Sequence, residues 1–201
     1  MKKILTYFLL PIAVIILGYL IYSSIQQPVE FERNRKLRES VAIERLKDIR
    51  TLQVAYKSKH ASFTASFDTL IDFYKNGQIT IVKQIGSMDD SVAVAQKKVY
   101  RDSVKIFVRD TLLKRTGFVI DSICYIPFSG GEKFDMKAIT GKVSNVDVPL
   151  FEASASYNQL LKGLERQLVI NLNSDRVESG RFPGLKVGSI EAPNNNAGNW
   201  E

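Results

Sequence analysis

Residues 30–59 read EFERNRKLRESVAIERLKDIRTLQVAYKSK, a run without Gly or Pro. Its apolar residues Ala42, Leu46, Ile49, Leu52 and Tyr56 recur at steps of three and four, and Leu37, Val41 and Ala55 widen the same stripe. That spacing predicts one long amphipathic helix. Glu30 and Glu32 stand in its first turn and Lys57, Lys59 and His60 in its last, matching the helix dipole at both ends. Glu32 with Lys36 and Glu44 with Lys47 are spaced for surface pairs worth a few tenths of a kcal/mol each. Lys and Arg outnumber Asp and Glu in this stretch, which predicts a solvated face or one laid against anionic lipid head groups. Phe31 and Tyr56 are its only aromatics, too few for the stacking platform of a nucleic-acid site.

Working back from this helix, Gln26-Gln27-Pro28 precedes it, and Pro28 biases Gln27 away from helical geometry, so a break is expected there. Before the break, residues 4–22 read ILTYFLLPIAVIILGYLIY, and no charged residue occurs between Lys3 and Glu30. At about 1.5 Å per residue such a stretch spans roughly the 30 Å of a bilayer core. It is longer than the roughly 7–15 residues of a signal-peptide core, and its exit offers Ile21 and Ser23 rather than a small-x-small site. An uncleaved anchor over residues 1–25 is therefore expected, with Tyr7, Tyr19 and Tyr22 as interfacial rings. The expected orientation has the N-terminus cytoplasmic and the remainder in a bacterial periplasm. Arg33, Arg35, Lys36 and Arg38 outnumber Lys2 and Lys3, so a literal charge count favours the opposite, cytoplasmic placement; long domains translocate largely regardless of charge.

Working forward, residues 26–60 form the juxtamembrane helix, 61–191 an α+β globular domain and 192–201 a flexible tail that only Trp200 is able to anchor. Ser66 caps a second helix containing Phe67, Leu70, Ile71 and Tyr74, and Asn76-Gly77 stops it. Beyond Gly77 the period changes to two. Strands are expected at 78–84, 103–108, 118–126, 133–140, 167–173 and 185–190, a hairpin turn at Ser129-Gly130-Gly131, and a short helix at 157–162 capped by Ser156. Residues 87–101 read as irregular. The fold class is thus α+β: a transmembrane helix, a long amphipathic helix and a mainly antiparallel sheet.

The 201 residues carry 45% hydrophobic and 24% charged side chains and a net charge of +7, which excludes a disordered or low-complexity chain. One Cys, Cys124, and one His, His60, exclude an internal disulfide framework and a His- or Cys-rich zinc site. Any Ser-His or Cys-His nucleophile must use His60, which reads as a surface residue at a helix end; Cys124 reads as a small buried hydrophobe. Ser129-Gly130-Gly131-Glu132-Lys133 lacks the spacing of a phosphate loop, and Asp89, Asp90, Asp102 and Asp110 lack that of a calcium loop. No catalytic, cofactor-binding or metal-ligating residue is assigned.

At the junction of the two helices the chain reads Leu52-Gln53-Val54-Ala55-Tyr56, Lys59-His60-Ala61-Ser62-Phe63 and Ser66-Phe67-Asp68-Thr69-Leu70. This resembles the region where type IV pilins and type II secretion pseudopilins pass from long helix to globular head, over about residues 30–77. The resemblance implies a membrane-held subunit that polymerises or docks, with no chemistry of its own. The chain departs from that pattern in having no Gly before residue 4 and no acid within 4–22, so the resemblance carries shape and not processing. Expected partners are the lipid bilayer and other membrane or envelope proteins, including further copies of the chain, with no nucleic acid and no small-molecule substrate. Leu37 and Val41 are the candidate contact residues. The competing reading is an anchored enzyme or ligand-binding domain with a cleft beside residues 87–101.

Overall fold

The computed structural model describes residues 10–85, 100–143 and 145–201. Its elements are α1 (Leu10–His60), α2 (Phe67–Asn76), β1 (Gln78–Ile85), β2 (Tyr100–Phe107), β3 (Asp135–Val143), β4 (Val146–Ser156), α3 (Tyr157–Leu160), α4 (Arg166–Glu178) and β5 (Gly184–Gly188). Short 3-10 turns lie at Val108–Asp110 and Ile120–Ser122. The fold is α+β: β1 and β2 form one antiparallel ribbon, and β3-β4-β5 form a three-stranded antiparallel sheet.

Helix α1 is continuous through Pro28, where a break was expected. Pro28 lacks an N–H and so cannot bond the Ser24 carbonyl, but that loss is local, and the Gln26 side chain donates across it to Glu30 at 3.2 Å. Its stripe packs as its spacing predicts: Ala42, Leu46, Ile49 and Leu52 are fully buried and join one core with Leu70 and Phe73 of α2, Phe151 and Ala153 of β4 and Val187 of β5. Ser66 Oγ accepts from the Thr69 N–H at the start of α2. Ser156 and Gln159 form a reciprocal capping box at the start of α3.

Two strand expectations are corrected and one strand is added. Residues 118–126 turn through a 3-10 element instead of extending, because Ile120, Ile123 and Ile126 point inward at steps of three. Residues 167–173 belong to α4, where Val169 is buried, Leu172 packs on the core and Gln167 bonds Asn171 one turn on at 2.9 Å. Strand β4 is the added one, and it contains Pro149. Pro149 lies beyond the segment that β5 pairs, so β4 has a neighbour on one side there and the missing N–H breaks no ladder. The turn at Ser129-Gly130-Gly131 is present, with Tyr125 bridged to Lys133 and both glycines at positive φ.

Residues 192–201, expected as a free tail, are docked on β5. Gly188 donates to Ala197 O and Asn199 to Lys186 O, both at 3.0 Å, and Val187 bridges Gly198. The Asn199 side chain accepts from Lys186 N–H at 3.1 Å and donates to Gly184 O at 2.9 Å. Trp200 packs against the core, the anchoring role the sequence suggests. Of the segment expected to be irregular, residues 87–99 lie outside the described residues, and Tyr100 and Arg101 open β2.

Candidate functional site

Polar side chains of α1 reach segments far along the chain. Arg38 donates to Leu160 O and Lys162 O at 3.2 and 2.8 Å, and its guanidinium lies 5.3 Å from the Phe128 ring centre. Arg45 donates to Tyr125 O at 2.5 Å. Asp48, buried, takes a two-pronged salt bridge from Arg115, which also meets Glu44 at 3.1 Å. Arg50 pairs with Glu201 at 2.7 Å and donates to Asn196 O at 3.3 Å. Gln53, fully buried, donates to Thr64 O at 2.6 Å and accepts from Thr64 N–H at 3.2 Å. Cations expected on a solvated face thus satisfy loop carbonyls and acids. One signal was present in the sequence: Asp48 and Gln53 are polar residues falling within the apolar stripe.

Burial pushes the Asp48 carboxyl above its ordinary pKa, with Arg115 acting against that shift. Burial, then the negative charge of Glu39, pushes the Tyr157 hydroxyl up to about 12, while Arg176 donates to its oxygen at 3.2 Å. Tyr157 therefore stays neutral at physiological pH and serves as a hydrogen-bonded core residue where α1, α3 and α4 meet.

The two candidate contact residues separate. Leu37 is 56% exposed, whereas Val41 is half-buried beside Ala42, where the helix enters the core. On the other side of Leu37, α1 projects an apolar segment free of the rest of the molecule: Ile15, Leu20, Ile25 and Val29 are each more than half exposed. By length and composition α1 can cross a membrane, and none of its most apolar window is buried.

His60 is exposed at the end of α1, stacked on Tyr56 with ring centres 4.3 Å apart and edge-on to Phe73. Asp72 lines the same small recess of about 230 Å³, but its carboxylate accepts from Asn76 at 2.7 Å. Cys124 is buried, with its sulfur 3.8 Å from Asp121 O. Ser129 Oγ accepts from Glu132 N–H at 3.0 Å and donates to Ile126 O at 2.8 Å, closing the glycine turn on itself. Asp89 and Asp90 lie outside the described residues. Among the described residues no three His, Cys, Asp or Glu side chains converge. A groove of about 750 Å³ runs along Arg50, Val54 and Ser58 of α1, between Ile79 and Thr80 of β1 and the docked segment at Asn196 and Glu201.

Comparison with protein-family models, with curated proteins and with solved structures returns no match.

Proposed function

We propose that this protein is a single-pass membrane-anchored subunit that works through protein contacts, with a pilin-like shape and a role in a secretion or envelope assembly. In this reading the apolar part of α1 lies in a bacterial inner membrane, the N-terminus is cytoplasmic and the α+β head stands in the periplasm. The observation that carries the reading is the continuity of α1. One rod is apolar and free of the head over its first half, then amphipathic and half-buried in the head over its second. A helix that only completed a soluble core would bury its most apolar part, because that is where burial is worth most at about 25 cal/mol per Å². Five polar side chains of the second half, Arg38, Arg45, Asp48, Arg50 and Gln53, hold segments from elsewhere in the head, as expected of a scaffold whose role is presentation and not catalysis.

The test uses the full chain carrying Cys124→Ser and Ala192→Cys, the latter at an exposed position. Retention in the membrane pellet after alkaline extraction, with labelling of intact spheroplasts by a membrane-impermeant maleimide, is the expected result. Release by alkali removes the anchor from the reading, and labelling only after lysis moves the head to the cytoplasm.

A further inference from the structure

We infer that the outer half of the β3–β4 hairpin is a self-association surface, seated on the same face of a second copy of this chain. The inference begins from the hairpin's register. Ile139 stands opposite Leu150, Gly141 opposite Val148 and Val143 opposite Val146, and because opposed residues share a face, all six lie on one side of the ribbon. The opposite side carries Thr140 with Pro149 and Lys142 with Asp147.

At the base of the hairpin the arrangement is reversed. There the side facing α1 is apolar, with Met136, Phe151 and Ala153 buried, and the outward side carries Asp135, Lys137, Glu152 and Ser154. The apolar face therefore changes sides halfway along the ribbon. A hairpin serving only the core would keep its aliphatic residues on the core side throughout, since the period of two is unbroken. In the outer half Leu150 is buried and Val148 partly covered, while Ile139 is 45% exposed, Val143 37% and Val146 62%, so the open patch is these last three residues toward the tip.

Size and position together select the occupant. The exposed aliphatic surface is on the order of a few hundred Å², against about 800 Å² per partner in a stable complex, too little to capture a freely diffusing protein. It suffices for a partner already held at the correct height. The hairpin runs alongside α1 with its tip toward the helix end farther from the apolar segment. Tyr157 lies beside Glu39, Met136 meets Gln53, and Phe151 stacks on Phe63 with ring centres 4.7 Å apart, so β4 runs along α1 with residues 146–150 toward the His60 end. Copies anchored in one bilayer by identical rods present this face at one height, and confinement to a plane supplies the effective concentration that the small area lacks. A two-fold contact then sets ladder against ladder at the usual sheet spacing, about 10 Å, and leaves Lys142 and Asp147 in water.

The inference rests on the membrane-anchored reading, and one preparation tests the two separately. The full chain with Cys124→Ser and Val146→Cys is oxidised in isolated membranes with copper phenanthroline, beside a control bearing Cys124→Ser and Asn171→Cys, exposed on α4. The expected result is a disulfide-linked dimer for the hairpin thiol at about ten times the control yield, lost when Ile139→Asp or Val143→Asp is added. Both aspartates replace exposed residues, and an unchanged circular dichroism spectrum confirms the fold. Equal yields from hairpin and control, or a dimer that survives both aspartates in folded protein, overturn the inference. Alkaline extraction of the same membranes decides anchoring independently of the cross-link.

Discussion

Gln53 and Thr64 exchange a pair of hydrogen bonds, the Gln53 amide nitrogen donating to Thr64 O at 2.6 Å and its amide oxygen accepting from Thr64 N–H at 3.2 Å. A buried side chain thus completes the backbone of the loop between α1 and α2 as a neighbouring strand would. Gln53→Leu keeps the volume and leaves both Thr64 groups unpaired, at a cost of about 2 kcal/mol. Chemical denaturation of the head in detergent solution measures it; a loss below about 0.5 kcal/mol shows that water satisfies Thr64 instead.

Arg115→Met strands Asp48 beneath the loop. The cost is about 2 kcal/mol at neutral pH, less than for a fully buried pair because the Arg115 side chain is 41% exposed. The pH dependence follows from the raised pKa of Asp48. A carboxyl that binds its proton more tightly folded than unfolded favours the fold at low pH and loses that contribution as pH rises through its folded pKa. Removing Arg115 raises that pKa further, so the penalty is full near neutrality and shrinks as pH falls toward the ordinary carboxyl range. Asp48→Asn added to Arg115→Met flattens the profile; a penalty independent of pH assigns the loss to packing.

The sole tryptophan, Trp200, packs on the core through a segment fastened by Asn199. Asn199→Ala removes both side-chain bonds to β5 and lets the segment detach, so tryptophan emission moves to longer wavelength and becomes more accessible to acrylamide. Unchanged emission places the fastening in the backbone bridge between Val187 and Gly198.

Leu37→Asp changes an exposed residue and leaves unfolding within about 0.5 kcal/mol of the parent, while Val41→Asp, half-buried, costs about 1–2 kcal/mol. Under the proposed function Leu37→Asp lowers the size of the detergent-extracted complex on native gels without unfolding it. An unchanged size removes Leu37 from the contact surface.

What was legible in the sequence depended on how local its cause was. The α1 stripe, the caps at Ser66 and Ser156 and the turn at Gly130-Gly131 arise from neighbours within a few residues, and spacing alone reveals them. Residues 167–173 misled because QLVINLN fits two periods over so short a run, and α4 was decided by what Val169 packs against. The unions of Arg38 with Leu160 O, Asp48 with Arg115 and Arg50 with Glu201 join residues 67 to 151 positions apart, so no local pattern encodes them. The face reversal of the hairpin is written in Ile139, Val143, Val146 and Val148, but it acquires meaning only once the register of β3 against β4 is known.

The polar unions along α1 also determine how the molecule bears load. Arg38, Arg45, Asp48, Arg50 and Gln53 are spread over some 22 Å of one rigid rod, and each grips a different segment. Tension drawn along the helix axis is therefore shared among several bonds in shear instead of peeling them one at a time. The helix behaves as a spine riveted along one side of the head, and the head resists extraction along that axis far better than prying from the side.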